Sequence, residues 1–243
     1  MERDSKGLGI VIKTEEVRTS DRLLSILTPD RGILKVYSYG ARKSIKSIKA
    51  PLYTEGNFSL YQKGENGIYS LKDIDVISTH DYIYSSLELL TLASLFSEVI
   101  IKGQDPDARC YELLVDSLDG LELYRPKLVG SVFILKYLQL AGLSGDWKHC
   151  PACSRLYRDE EILGFSSFDR VAVCSDCDTM NMTNILPVNA RRFCARVLEL
   201  DDKDAFCLGI SDEQISRIFR YLVKTLTLVF PVAIKTIESG LLI

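Results

Sequence analysis

The chain has 243 residues, 47% of them hydrophobic, with 30 basic against 33 acidic side chains and a net charge of −3. That length holds one large domain or two smaller ones, each with a real core. No 18-residue apolar stretch is free of charge, the richest (82–101) carrying Glu88 and Glu98, and no apolar run follows Met1–Lys6, so neither a membrane span nor a secretory leader is expected.

The first 80 residues read as strands. Leu8, Ile10 and Ile12 alternate with Gly9, Val11 and Lys13, and an apolar run covers Leu23 to Thr28. Pro29-Asp30-Arg31-Gly32 closes that run as a turn, Pro presetting φ and Gly permitting a positive φ. Ile33 to Tyr39 follows, with Leu34 and Val36 on one face and Lys35, Tyr37 and Tyr39 on the other. Phe58–Gln62 and Gly67–Leu71 flank a second turn signal at 64–67, and Ile74, Val76 and Ile77 extend the last strand. Five short strands with a basic insertion between the third and fourth predict a small barrel, an OB-fold by size, with an SH3-like barrel as the competitor on strand count.

From residue 81 the period becomes helical. Leu92, Leu95, Phe96 and Val99 share one helix face. Asp105-Pro106 reads as an N-cap followed by Pro at the first helical position. Leu128–Leu140 is an apolar helix, and helical patterning resumes over Asn189–Leu200 and Asp212–Phe230. Ser211 with Gln214 forms a capping-box start for the last helix, and Pro231 stops it.

Between these helices stand Cys150-Pro151-Ala152-Cys153 and Cys174-Ser175-Asp176-Cys177, a C-x2-C-x20-C-x2-C pattern. Each pair is a tight knuckle that places two sulfurs on one ion, and four thiolates complete a tetrahedral zinc. A closed site has no open position for water or substrate, so the predicted zinc is structural. His149 adjoins the first knuckle and reads as its solvated neighbour, and Asp159, Glu160 and Glu161 read as a solvated charge run. Seven cysteines without a leader point to a reducing, cytoplasmic compartment; Cys110 and Cys194 sit among apolar residues at helical spacing and are expected to be buried.

Charge is unevenly spread. Residues 1–82 hold 13 basic and 11 acidic side chains, and 83–243 hold 17 and 22. From Arg31 to Tyr53 there are six cations, Arg31, Lys35, Arg42, Lys43, Lys46 and Lys49, and no acid. Cations that track phosphates beside aromatics that stack on bases are the parts of a single-strand binding groove, here with Tyr37 and Tyr39 as the aromatics. The competing reading is a solvated loop. On the last long helix, Arg217, Arg220 and Lys224 run beside the apolar stripe Ile215, Ile218, Phe219, Leu222 and Leu226. That arrangement suits an acidic, apolar-tipped peptide, against the plainer reading of an amphipathic helix with a solvated basic face. Catalytic constellations are scarce: there are two histidines, His80 and His149, with no phosphate-binding glycine loop and no deaminase-type zinc signature.

Taken in order, these parts resemble the RecO family of bacterial recombination mediators. The likeness is carried by Gly9–Lys13, Ser20–Thr28, Gly32–Lys35 and Tyr39–Lys43, then by Phe133–Gly142 leading to Cys150, by Val173–Cys177, and more faintly by Ala233–Ser239. The resemblance implies an α+β multidomain protein: an OB-fold DNA-binding domain over 1–80 and a helical domain over 81–243 with a zinc-binding insertion at about 146–182. It also implies a non-enzymatic, nucleoid-associated protein that binds single- and double-stranded DNA and anneals complementary strands. RecR and the acidic tail of single-strand binding protein are the implied partners, and RecA loading at gaps the implied outcome. The alternative is a zinc-bearing protein-interaction scaffold whose DNA contact is incidental.

Overall fold

The computed structural model describes residues 4–17, 20–40, 50–62, 69–103, 105–161, 163–166, 171–178 and 188–242. They fall into two compact units, Met1–Ser85 with Gly103–Val115, and Ser86–Lys102 with Asp116–Ile243. The strands are β1 (Asp4–Val17), β2 (Asp21–Thr28), β3 (Gly32–Ser38), β4 (Glu55–Gln62), β5 (Tyr69–Ser78), β6 (Gly164–Ser166) and β7 (Val171–Val173). The helices are α1 (Leu87–Lys102), α2 (Ala108–Leu123), α3 (Pro126–Leu140), α4 (Val188–Glu199), α5 (Asp202–Phe206), α6 (Asp212–Val229) and α7 (Lys235–Glu238). Among the described residues no helix is long and apolar enough to cross a membrane.

In the first unit β1 to β5 close into a barrel of order β1-β2-β3-β5-β4. β1 is long enough to serve two neighbours: its first half pairs with β4 and its second with β2, and a register shift between Val11 and Lys13 lets it bend between them. The barrel shuts through a short parallel contact of β3 with β5, Val36 opposite Tyr69 and Tyr37 opposite Ser70. This arrangement is that of the OB-fold and sets aside the SH3-like alternative. The interior is apolar, built on Val11, Leu24, Ile26, Val36, Phe58 and Leu60. β3 alternates as its sequence predicts, with Val36 and Ser38 buried and Lys35 and Tyr39 exposed. Its entry turn is tied by Thr28, whose Oγ1 accepts from the Arg31 N–H at 3.1 Å and donates to the Gly32 carbonyl at 2.9 Å, with Gly32 at φ +61°.

Where the chain leaves β5, His80 is buried with its Nδ1 2.8 Å from the Tyr53 carbonyl. A carbonyl only accepts, so Nδ1 carries the proton. Both residues hold left-handed backbone, φ 68° at Tyr53 and 48° at His80, a strain that this bond helps retain. The cap of α2 differs from the expected Asp105. Asp107 accepts from the Cys110 N–H at 3.0 Å, and Pro106 precedes the cap. Asp105 lies at φ +35°, outside the extended region an N-cap needs.

In the second unit α3 is the axis. Leu128 to Leu138 is buried on every side, and a helix apolar all round must be enclosed. Phe96 of α1 stacks on Phe133 at 4.1 Å between ring centroids, and Tyr137 extends the stack to Phe230. α6 lays its stripe of Ile215, Ile218, Phe219, Leu222 and Leu226 inward, and Ser211 caps it by accepting from the Gln214 N–H. Cys110 and Cys194 are buried as expected.

Candidate metal centre and nucleic-acid interface

Four cysteines converge between α3 and α4. The first knuckle is a hairpin turn: the Cys150 N–H bonds the Arg155 carbonyl at 2.8 Å, and the Ser154 N–H bonds the Cys150 carbonyl at 2.7 Å. Ser154 takes φ +59° to close it. The second knuckle is a single 3-10 turn, Ser175–Cys177, just after β7, which pairs antiparallel with β6. Gly164 of β6 lies against Asp178, where a Cβ would fall 2.2 Å from the carboxyl carbon, so only glycine lets the two segments approach.

The ligand atoms of Cys150, Cys153, Cys174 and Cys177 all lie within 4.8 Å of one another. Cys153 Sγ is 3.7 Å from Cys174 Sγ. Sulfurs about 2.3 Å from a tetrahedral zinc stand about 3.8 Å apart, so the set fits one such ion. Among themselves the thiols compete for charge. Burial raises Cys150, but N–H groups of Cys174, Cys153 and Ala152 donate to its sulfur and bring it to about 7. Cys177, hydrogen-bonded to the thiols of Cys174 and Cys153, is pushed up to about 12. A dication would relieve that competition. His149 takes no part; its Nδ1 is 2.6 Å from Asp146.

The expected charge run 159–161 divides. Glu160 is exposed, whereas the Glu161 side chain is buried and joins the two knuckles. Its Oε1 accepts from Arg155 Nη2 at 2.7 Å, the Ser175 N–H at 3.0 Å and the Ser175 hydroxyl at 2.9 Å. Its Oε2 accepts from Arg155 Nη1 at 3.1 Å and the Arg158 N–H at 2.9 Å. The Arg155 bonds, against the opposing effect of burial and helped by the N–H donors, hold the carboxyl at about 2. Nothing in the local pattern distinguishes Glu161 from its acidic neighbours.

The outer face of β3 brings three of the predicted nucleic-acid residues together. Tyr37 and Tyr39 stack with centroids 5.9 Å apart and planes 13° from parallel. Lys35 donates to Ser25 Oγ at 2.7 Å and lies 3.8 Å from Glu15, which Lys13 also engages at 2.9 Å. Asp21 pins the strand's exit by accepting from the Gly40 N–H at 2.9 Å. Arg31 stands apart on the β2–β3 turn, half-buried, with contacts to Asp30 and Ser5 and its guanidinium 5.9 Å from the Tyr69 ring centre. Arg42, Lys43, Lys46 and Lys49 lie outside the described residues.

On α6, Arg217, Arg220 and Lys224 are all exposed, and Arg217 reaches Glu213 at 3.5 Å. The adjoining face of that helix, through Tyr221, Thr225 and Leu228, lines a mostly apolar cavity of about 180 Å³ with Leu135, Leu138 and Trp147. The sequence pattern marks the basic stripe but not the cavity, which α3, α6 and the cysteine-bearing insertion form only in three dimensions.

An OB-type barrel, a helical unit and a four-thiol cluster between two of its helices define a multidomain protein with a cysteine-knuckle insertion that could hold a metal ion. The model of the recombination protein O N-terminal domain matches residues 1–80 and that of its C-terminal domain residues 84–228, so the chain belongs to the recombination protein O family. It is similar to the DNA repair protein RecO of Listeria monocytogenes serotype 4a, 27% identical over 175 residues that make up 70% of this chain and 67% of that protein. It is also similar to the DNA repair protein RecO of Clostridium novyi, 23% identical over 180 residues, 71% of this chain and 69% of that one. For that of Clostridium kluyveri the identity is 25% over 191 residues, 74% and 71% of the two chains.

Proposed function

We propose that this chain is a non-enzymatic DNA-binding and strand-annealing mediator of recombinational repair in the cytoplasm, associated with the nucleoid. It works with RecR and single-strand binding protein to help load RecA at gaps. The observation that carries this reading is the stacked Tyr37–Tyr39 pair beside Lys35 on the outer face of a barrel that belongs to the recombination protein O family. Residues 1–80 are the DNA-binding domain and 81–243 the helical domain, with the insertion at about 146–182. Lys35, Arg42, Lys43, Lys46, Lys49 and Arg31 neutralise phosphates, and the tyrosines stack on bases. Drawing two strands onto one basic face lowers their mutual repulsion, which is the physical basis of annealing. Contacts of this kind are tolerant of sequence.

One zinc ion on the four cysteines is structural, since four thiolates leave no position for substrate. Residues Arg217, Arg220 and Lys224, with the apolar cavity beside them, suit the acidic tail of single-strand binding protein. The test is a salt titration of single-stranded oligonucleotide binding by fluorescence anisotropy, comparing the wild type with Arg42→Ala/Lys43→Ala/Lys46→Ala. Losing three phosphate contacts is expected to flatten the slope of log K against log salt by roughly 2. An unchanged slope in a folded variant would favour the protein-interaction scaffold instead.

A further inference from the structure

We propose that Tyr61 and Lys72 form a second stacking station for single-stranded DNA, one row across the barrel from the Tyr37–Tyr39 pair; the proposal rests on the nucleic-acid reading of that face. The strand register carries it. Tyr37 on β3 lies opposite Ser70 on β5, and Ser70 lies opposite Tyr61 on β4, so all three occupy one row on one side of the sheet. Tyr69, one position along, packs against the barrel interior, which puts Ser70 and its row on the outside. Ser70 is small, so no bulky side chain separates the two tyrosines. Two strand spacings put them about 10 Å apart. That is the length of about three base steps at roughly 3.4 Å each. A single strand crossing β3, β5 and β4 thus meets a ring at each end of a short run of nucleotides.

Lys72 supplies the charge. Its Nζ sits over the Tyr61 ring, 5.0 Å from the centre, so a base that stacks on that face displaces the ammonium, whose flexible stem leaves it within reach of the base's phosphate. The ammonium also pairs with Asp4, at 2.7 and 2.9 Å to its two oxygens. Both partners are about half-exposed or more, 49% and 66%, and such a pair contributes little. A phosphate takes the place of Asp4 at little cost. The occupant is single-stranded DNA because bases already paired and stacked in a duplex do not offer their faces to an outward ring.

The experiment uses the full chain and fluorescein-labelled oligothymidylates of graded length, read by anisotropy. Tyr61→Leu is expected to weaken binding of the longer oligonucleotides about tenfold while leaving the shortest, which reach one station only, unchanged. Lys72→Gln, an exposed change that leaves the interior intact, is expected to flatten the salt slope by about 0.7, and Asp4→Asn to tighten binding. Wild-type affinity at every length in Tyr61→Leu and an unchanged slope in Lys72→Gln would overturn the second station. If Tyr37→Ala/Tyr39→Ala is weakened in the same series, the nucleic-acid reading of β3 survives that result. If that variant too binds as the wild type, both fail together.

Discussion

Replacing Glu161 with Gln tests whether a buried carboxylate outside the ligand set holds the metal centre together. Five bonds converge on its two oxygens, all from donors. A Gln side chain keeps the shape but turns one oxygen into a donor. Placed at Oε2, the position that loses least, the amide nitrogen faces Arg155 Nη1 and the Arg158 N–H and forfeits both bonds. At about 1 kcal/mol each, that is about 2 kcal/mol of support lost from the geometry that joins the knuckles. If the loss falls wholly on the metal-bound form, zinc affinity drops about 30-fold. That lies inside the range of about 10- to 100-fold found when groups bracing metal ligands are removed. Competition for zinc against a chromogenic chelator measures it directly, with circular dichroism to confirm the helices. Glu160→Gln is the matched control, since Glu160 is 84% exposed and pairs with Arg192 at 3.3 Å. Affinity within threefold of the wild type in a folded Glu161→Gln protein would refute the bracing role.

Two further outcomes concern the helical unit. Glu98 accepts from the N–H groups of Lys235 and Thr236, from the Thr236 hydroxyl and from Lys102. Burial raises its carboxyl, but the Lys102 bond and the Thr236 and Lys235 donors outweigh it and bring 4.5 down to about 2. A depressed carboxylate stabilises above its unfolded pKa and loses that effect as pH falls from about 4.5 towards 2, here about 2 kcal/mol after allowance for screening. Hydrogen-exchange protection at α7, taken relative to the intrinsic rate at each pH, should therefore fall over that window in the wild type and be low at neutral pH in Glu98→Gln. Lys136 is buried with Asp202 3.6 Å away and also donates to the Leu200 carbonyl. Lys136→Met removes the cation paired with the buried Asp202 carboxylate and should cost about 3–5 kcal/mol in urea unfolding, while Lys136→Met/Asp202→Asn should cost clearly less than the two single changes together.

Much of this architecture is legible wherever one period dominates a segment. The alternation along β3, the inward stripe of α6, its Ser211 cap and the paired knuckles all depend on neighbours within a few residues. What escapes the sequence is decided by distant partners. The parallel β3–β5 contact that closes the barrel joins strands separated by β4, and no local pattern announces it. Asp105 and Asp107 are equally good caps by type, and the positive φ at Asp105 selects the second. Glu161 is one acid among three until Arg155 and Ser175 fold around it. Tyr61 joins Tyr37 only through the register of an intervening strand.

The acidic total of the chain is compatible with nucleic-acid binding because phosphates respond to charge within about 8–10 Å, not to a sum over 243 residues. The excess of acid lies in 83–243, and several of those carboxylates have assigned work: Glu161 joins the knuckles, Glu98 holds α7, and Asp202 faces Lys136. Among the described residues of the barrel, exposed acids near the tyrosine row include Glu15, beside Lys13 and Lys35, and Asp4, beside Lys72, while Asp21 at the exit of β3 is buried and bonded to the Gly40 N–H. Exposed pairs of this kind hold their cations in place while contributing little themselves. A strand of phosphates exchanges with such carboxylates readily and releases its own counterions in doing so. Binding on this face should accordingly be weak at high salt and strong at low salt, governed by the cations around one row of rings and indifferent to the net charge of the molecule.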